Sequence, residues 1–225
     1  MRVCVFDLDH TIVNSPLDLA AMALDMRAVL ERSCGPLPAR PERYRVGELI
    51  TRCRDAAPQL EAALWDLALD HERRAVADAW LEPGALEAIM GARAVGYRPA
   101  LWTNNAREVT LVALDRFGLG PHFDLIVTRD DMRALKPDPD GWRVVAESFG
   151  AIVDAVVVGD SWVDGLAAAA AGIPFVAYRP READLERWNV VPVARLSDLK
   201  ALPAWLDART AGAEPRGDAG SGPRA

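Results

Sequence analysis

Residues 3–12, Val-Cys-Val-Phe-Asp-Leu-Asp-His-Thr-Ile, combine a strand-forming run with two closely spaced carboxylates. The β-branched and aromatic residues before Asp7 predict a buried strand over residues 2–6. Side chains two residues apart on an extended chain point the same way, so we expect Asp7 and Asp9 to face one pocket. Two anions held this close repel each other unless a cation lies between them or one carboxyl group is protonated. The stretch therefore predicts a charged site at the end of a strand.

The segment after this strand has the pattern of helices alone. Helical periodicity runs over about 16–32, 46–56 and 59–80, and a proline-containing loop at 34–45 separates the first two helices. An all-helical block of this length, placed between the first strand and the rest of the chain, is typical of an insertion. We predict a helical cap at residues 16–80.

Beyond residue 80 the pattern changes to helices that alternate with short apolar strands. The strands are predicted at 99–102, 123–127, 155–158 and 175–178. Such alternation is typical of a parallel sheet covered by helices on both faces. We therefore predict an α/β fold with a Rossmann-like three-layer core formed by residues 1–15 and 81–210.

The end of the chain has two further predicted features. A closing amphipathic helix is expected at 196–208, and Pro203 is expected to bend or break it. Residues 211–225 contain glycine, proline, alanine and charged residues without apolar periodicity, which predicts a disordered tail.

Composition excludes several classes of function. A net charge of −7 argues against a nucleic-acid partner, because no basic excess is present to neutralise phosphates. The three cysteines have no CxxC spacing and are odd in number, which argues against a disulfide framework or a zinc site and favours a reducing cytoplasm. No apolar run approaches the roughly 18 residues that a membrane helix needs, and the N-terminal run is interrupted by two aspartates. We expect neither a membrane nor a nucleic acid as a partner.

Polar clusters follow four of the apolar strands or the loops after them. They are Asp7/Asp9/Thr11, Thr103-Asn104-Asn105, Lys136-Pro137 and Gly159-Asp160-Ser161-Trp162-Val163-Asp164. Because the carboxyl ends of parallel strands lie on one edge of a sheet, where ligands bind, we expect these clusters to form one pocket. Lys136 stands out further, since only two of the 26 basic residues of the chain are lysines.

The residue types in this pocket favour a metal ion and a phosphoryl group. Carboxylate oxygens without a nearby histidine or cysteine suit Mg²⁺, which shares its coordination shell with substrate phosphate. Thr103 and Asn104, with backbone N–H groups at the start of the next helix, suit phosphate oxygens. Lys136 adds a compact positive charge. Together these groups predict electrostatic catalysis of phosphoryl transfer.

The four clusters, in this order, resemble the four motifs of the haloacid dehalogenase (HAD) superfamily. Phe-Asp-Leu-Asp-His-Thr resembles motif I, Leu-Trp-Thr-Asn-Asn motif II, Lys-Pro-Asp-Pro-Asp-Gly-Trp motif III, and the segment from Val-Val-Val-Gly-Asp-Ser to Ala-Gly-Ile-Pro motif IV. Pro83-Gly84 and the helical insert resemble the phosphoglycolate-phosphatase-like subgroup with its small helical cap. The sequence departs from that subgroup at His10, where glycine is more frequent.

The resemblance implies a role for each motif residue. Asp7 would be the nucleophile that forms an aspartyl-phosphate. Asp9 would be the acid that protonates the leaving oxygen and then the base that deprotonates the attacking water. Asp7, Asp160 and the backbone carbonyl of Asp9 would bind Mg²⁺. Thr103, Asn104 and Lys136 would hold the phosphoryl oxygens. Asp164 would orient Lys136 or a water on the metal.

The implied function is hydrolysis of a small soluble phosphomonoester, with phosphoglycolate-like compounds as the first candidates. A dehalogenase is disfavoured by Asp9 and Asp160, and a phosphonatase by the lack of any lysine in residues 16–80. Two alternatives stay open. A HAD-type phosphomutase acting on a sugar phosphate would share the same core, and a non-catalytic binding protein could use the same scaffold.

Overall fold

The computed structural model of the protein describes residues 1–212 of the 225-residue chain. The described residues divide into two units, one formed by residues 1–14 and 80–212 and the other by Ser15–Ala79. The tail predicted at residues 211–225 lies outside the described residues apart from residues 211 and 212, which form a turn.

The first unit is built on a six-stranded parallel sheet. The strands of this unit, six in the parallel sheet and two in a separate pair, are in chain order β1 (Arg2–Phe6), β2 (Val13–Asn14), β3 (Trp80–Leu81), β4 (Tyr97–Trp102), β5 (Leu125–Val127), β6 (Asp154–Gly159), β7 (Phe175–Tyr178) and β8 (Ala194–Leu196). The order across the sheet is β5-β4-β1-β6-β7-β8, and β2 and β3 form a separate antiparallel pair. The predicted α/β fold with a parallel sheet is confirmed.

Strand β1 lies in the middle of this sheet because its residues are apolar on both faces. Residues 3–6 are completely buried, and Arg2 is in register with Tyr97 on β4 and with Asp154 on β6. A near-continuous hydrophobic run is what a parallel strand needs when both of its faces are covered. This position brings the residues after β1 between the ends of β4 and β6.

Nine α-helices accompany these strands in residues 1–212. They are α1 (Leu19–Cys34), α2 (Val46–Ala56), α3 (Glu61–Ala77), α4 (Ala85–Ala94), α5 (Arg107–Arg116), α6 (Asp140–Phe149), α7 (Trp162–Ala170), α8 (Glu182–Arg187) and α9 (Leu202–Thr210). On one face of the sheet, Val3 and Val5 of β1 share a core with residues of α6, α7 and α8. Within residues 1–212, no helix is both long and apolar enough to cross a bilayer.

The second unit, Ser15–Ala79, consists of helices α1, α2 and α3 around a core of its own. Asp18 begins α1 by accepting hydrogen bonds from the backbone N–H groups of Ala20 and Ala21, both at 2.9 Å, so two free donors of the first turn are satisfied. The core of this unit contains side chains from all three helices, Met22, Met26, Leu30, Leu49, Ile50, Cys53, Leu64 and Ala68 among them.

The prediction for the C-terminal segment was wrong at its start. Residues 194–196 form the edge strand β8, which pairs in parallel with β7, and α9 begins at Leu202 with Pro203 in its first turn. Proline fits the first turn of a helix because the N–H that it lacks would have no helical partner there. Pro203 therefore lies at the start of the helix and does not bend it. Helix α8 was not predicted.

Candidate active site

Asp7 lies directly beyond the end of β1, at the carboxyl edge of the sheet. Its backbone N–H donates to the carbonyl of Val158 on β6 at 2.9 Å, so the main chain is still tied to the sheet where the carboxylate begins. The chain then turns, and the N–H groups of Ile12 and Val13 both donate to the Leu8 carbonyl, at 2.8 and 2.9 Å. The turn keeps Asp9 close to the strand end. Asp7 is buried and Asp9 is half-buried.

His10 has the backbone conformation for which glycine is favoured. Its φ is +57°, in the left-handed region, and its N–H donates to the Val13 carbonyl at 2.8 Å. The residue thus closes the turn with its own backbone. This positive φ explains why glycine is more frequent than histidine at this position in the subgroup that the sequence resembles.

Lys136 forms the centre of a buried ion cluster. Its ammonium donates to Asp7 Oδ1 at 2.6 Å, to Asp164 Oδ1 at 2.5 Å and to the Trp102 carbonyl at 2.9 Å. The Lys136 and Asp164 side chains are each 3% exposed, and that of Asp7 is 11% exposed. Burial lowers the pKa of Lys136, but attraction by Asp164 and Asp7 outweighs it and holds that pKa above its usual value. The lysine is therefore positively charged.

Asp164 is held in place by the start of its own helix. Its Oδ2 accepts hydrogen bonds from the backbone N–H of Ser161 at 3.2 Å and from the Ser161 hydroxyl at 2.8 Å, so the two residues form a capping box at the start of α7. Gly159 leaves the space for this carboxylate, since a Cβ there would lie 2.6 Å from Asp164 Cγ. Both oxygens of Asp164 are thus occupied, one by the helix and one by Lys136.

The same edge of the sheet carries an excess of negative charge. Carboxylate oxygens of Asp7, Asp160 and Asp164 lie within 4.8 Å of one another, against the single ammonium of Lys136. Burial, followed by repulsion from Asp164, raises the pKa of Asp7 to about 8, and the same two causes raise that of Asp160 to about 8. Because these pKa values are raised by burial and by repulsion within the cluster, a divalent cation between the carboxylates would relieve the repulsion. The donor set fits Mg²⁺.

Thr103, Asn104 and Asn105 follow β4 and connect the loops on both sides of it. Thr103 is buried, and its backbone N–H donates to the Val127 carbonyl at 3.0 Å. The Asn104 side chain accepts from the Lys136 backbone N–H at 2.8 Å and donates to the Lys136 carbonyl at 3.1 Å. The Asn105 side chain donates to Asp9 Oδ2 at 2.6 Å. The segment thus links Lys136 and Asp9 to the end of β4.

A comparison with known protein families identifies the type of fold and site. The haloacid dehalogenase-like hydrolase family matches residues 1–172. The chain belongs to this family. The predicted family and the prediction of a hydrolase are therefore confirmed.

Two relatives and one solved structure extend this result over most of the chain. The chain is 28% identical over 218 residues to the phosphoglycolate phosphatase of Rhodobacter capsulatus, which covers 92% of this chain and 97% of the relative. It is 32% identical over 186 residues to the phosphoglycolate phosphatase of Thiobacillus denitrificans, covering 77% and 81%. A hydrolase from Pseudomonas syringae has the same fold, with a TM-score of 0.65 at 22% identity, and covers 94% of this chain.

The structure of this HAD family member brings together most of the residues that the sequence singles out. Asp7, Lys136 and Asp164 are in direct contact, and Asp160 belongs to the same carboxylate group. Asp9 is connected to the segment after β4 through Asn105, a residue to which the sequence interpretation gave no role. Its only signal in the sequence was its place in the run Thr-Asn-Asn after an apolar strand.

Proposed function

We propose that the protein is a Mg²⁺-dependent phosphatase that hydrolyses a small soluble phosphomonoester through an aspartyl-phosphate on Asp7. The observation that carries the proposal is the buried cluster at the carboxyl edge of the sheet, where Lys136 contacts Asp7 and Asp164 beside Asp160. A nucleophilic carboxylate next to one fixed ammonium and a surplus of metal-type oxygen ligands suits phosphoryl transfer. Two relatives named phosphoglycolate phosphatases support this chemistry.

Asp7, Asp160 and the backbone carbonyl of Asp9 would hold the metal ion. Asp164 is less suited to direct coordination, because its two oxygens accept hydrogen bonds from Lys136 and Ser161. When bound, Mg²⁺ would neutralise charge on the phosphoryl oxygens.

In the first step, a carboxylate oxygen of Asp7 attacks phosphorus while the bond between phosphorus and the ester oxygen breaks. Asp9 gives its proton to the departing oxygen, so the leaving group departs as an alcohol. Lys136, with the Thr103 hydroxyl and groups of Asn104, would stabilise the phosphoryl oxygens during the transfer.

In the second step, water attacks the phosphorus of the aspartyl-phosphate. Asp9, now ionised, takes a proton from that water, the bond between phosphorus and Asp7 breaks, and inorganic phosphate leaves. Asp7 is regenerated as a carboxylate and Asp9 as a carboxylic acid. Two easier displacements thus replace one difficult one.

The substrate class follows from the size of the helical segment and from the relatives. We propose that residues 16–80 act as a cap that admits small phosphomonoesters and limits access by water. Phosphoglycolate-like compounds are the first candidates, since relatives with this activity in their names match over most of the chain. All three cysteines are free thiols, which supports a cytoplasmic location.

The experiment is a panel of phosphomonoesters that includes 2-phosphoglycolate, assayed for phosphate release with Mg²⁺. Wild type is compared with Asp7→Asn, and Asp115→Asn is the matched control because Asp115 is exposed on α5. We expect Asp7→Asn to lose at least about 10³-fold in kcat, as expected for loss of a nucleophile, while the control keeps wild-type activity. Acid-quenched wild type should carry a phosphoryl group that hydroxylamine removes.

Four results would contradict the proposal. Wild type that releases phosphate from no substrate, or an Asp7→Asn variant as active as wild type, would exclude this enzyme. Full activity in excess EDTA would exclude a requirement for Mg²⁺. Conversion of a sugar phosphate to its isomer without release of phosphate would instead identify a phosphomutase.

A further inference from the structure

Asn105 makes a short hydrogen bond to the proposed proton carrier. Its side-chain Nδ2 donates to Asp9 Oδ2 at 2.6 Å, across 96 positions of sequence. Its own backbone is fixed at both ends, since its N–H donates to Thr103 Oγ1 at 3.2 Å and its carbonyl accepts from the Arg129 N–H at 3.0 Å. Because the backbone is already fixed, the side chain loses only its own rotamer freedom when it binds a partner.

The order of the strands explains why Asn105 reaches Asp9. Strand β4 lies between β5 and β1, so the residues after it are flanked by the loop that carries Lys136 and by the turn that carries Asp9. Asn104 bonds to Lys136 on the first side, and Asn105 bonds to Asp9 on the other. Two consecutive asparagines thus serve the two neighbouring loops.

We propose that Asn105 is a positioning residue that orients the Asp9 carboxyl group for proton transfer to the leaving oxygen, a role that rests on the proposed phosphatase function. The amide N–H donor makes Oδ2 the accepting oxygen of Asp9, so Oδ1 is the oxygen that carries the proton. No bond to Asn105 forms or breaks during the reaction. Asn105 acts through Asp9 by holding the carboxyl plane.

The physical reason is that Asp9 lies in a turn and is half-buried, where an aspartate side chain has several low-energy orientations. Proton transfer needs donor and acceptor within about 3 Å and well aligned, so a misoriented carboxyl group loses rate even when its chemistry is intact. A short hydrogen bond of 2.6 Å selects one orientation. In the first step, the loss caused by removing Asn105 should therefore depend on whether the leaving group needs a proton. The second step, in which Asp9 acts on water, is the same for every substrate.

Leaving groups of different basicity provide the test. p-Nitrophenol leaves as a stable anion near neutral pH and needs no proton, whereas an alkoxide from 2-phosphoglycolate or another alkyl phosphomonoester does. The readout is kcat/KM, which reports the steps up to the first irreversible one, the transfer of the phosphoryl group to Asp7. We expect Asn105→Ala to lower kcat/KM by about 10- to 100-fold for the best alkyl substrate of the panel and by less than about threefold for p-nitrophenyl phosphate.

Asn14→Ala is the matched control, because Asn14 also donates to a carboxylate, that of Glu82 at 3.4 Å, and Glu82 has no part in the proposed chemistry. It should leave the ratio of the two kcat/KM values at the wild-type figure. Asp9→Asn should show the selective loss in stronger form. Asn105→Ala added to Asp9→Asn should cost less than about twofold more, because the group through which Asn105 acts is already disabled.

Equal losses of kcat/KM on both substrates, no loss on either, or full additivity with Asp9→Asn would each overturn the role of Asn105 while the phosphatase function stands. Wild type inactive on every phosphomonoester would overturn the function and the inference together. Should Asn105→Ala fail to fold, Asn105→Leu removes the donor at similar volume without adding a charge, and the ratio of kcat/KM values on the two substrates gives the same decision.

Discussion

Replacing Lys136 by methionine should destabilise the protein strongly, although it removes only one charge. Methionine keeps an unbranched stem of similar length, so the change isolates the ammonium. That ammonium makes hydrogen bonds to Asp7, Asp164 and the Trp102 carbonyl, all buried. Removing one partner of a buried ion cluster leaves uncompensated charge and costs about 3–5 kcal/mol. At about 2–4 °C per kcal/mol for a chain of this size, Tm should fall by roughly 6–20 °C.

The other lysine of the chain provides the control for this substitution. Lys200 pairs with Glu87 at 3.4 Å, and both side chains are 58% exposed, so Lys200→Met should change the free energy of unfolding by less than about 1 kcal/mol. Thermal unfolding followed by circular dichroism in EDTA at pH 7 measures both variants. The loss for Lys136→Met should be larger at pH 9 than at pH 7, because Asp7, with a pKa of about 8, is ionised at pH 9 in the wild type and the variant has no cation beside it. A Tm for Lys136→Met that matches that of Lys200→Met would refute this reasoning.

The raised pKa values and the packing of Gly159 give two further predictions. Asp7 and Asp160 have pKa values of about 8 when folded, above those of unfolded aspartate, so in EDTA their contribution to stability is complete below about pH 4 and is lost as the pH rises through 8. Tm should therefore fall across this range. MgCl₂ at about 10 mM should raise Tm most at the alkaline end if these carboxylates bind the ion. Equal slopes of Tm against pH with and without Mg²⁺ would contradict this metal binding. Gly159→Ala brings a Cβ to 2.6 Å from Asp164 Cγ. It should lower the free energy of unfolding by about 1–3 kcal/mol and should also lower kcat. Gly47→Ala is the control, because a Cβ added at Gly47 has no neighbouring atom within 4 Å. It should leave Tm unchanged or raise it by stabilising the helix. Equal effects of the two alanines on Tm and kcat would argue against the packing of Gly159 on Asp164.

The polar clusters could be found in the sequence because each follows a strand that the pattern makes visible. Apolar runs before Asp7 and Asp160 predict buried parallel strands, and parallel strands bring their carboxyl ends to one edge. The proximity of Asp7, Lys136 and Asp164 agrees with this expectation, since they meet at 2.5–2.6 Å. Their catalytic and metal-binding roles stay predictions for the experiments above.

Other features had no local signal in the sequence. Strand β8 is a three-residue edge strand, and its few residues carry too little periodicity to be separated from the helix expected there. The partner of Asn105 depends on β4 lying between β1 and β5, an order set by non-local pairing. Neither the strand nor the hydrogen bond can be derived from residues close in sequence.

By itself, the sequence determined the alternating α/β pattern and the chemical types that meet at one edge of the sheet, including Asp7 and Asp9 after the first strand. Only the tertiary structure decided which groups pair. It directs Lys136 to Asp7 and Asp164, and Asn105 to Asp9. It also decides the charge balance, because burial raises the pKa of Asp7 while Lys136 opposes that rise. Pairing and burial depend on distances between distant parts of the chain, which residue types and their spacing do not contain.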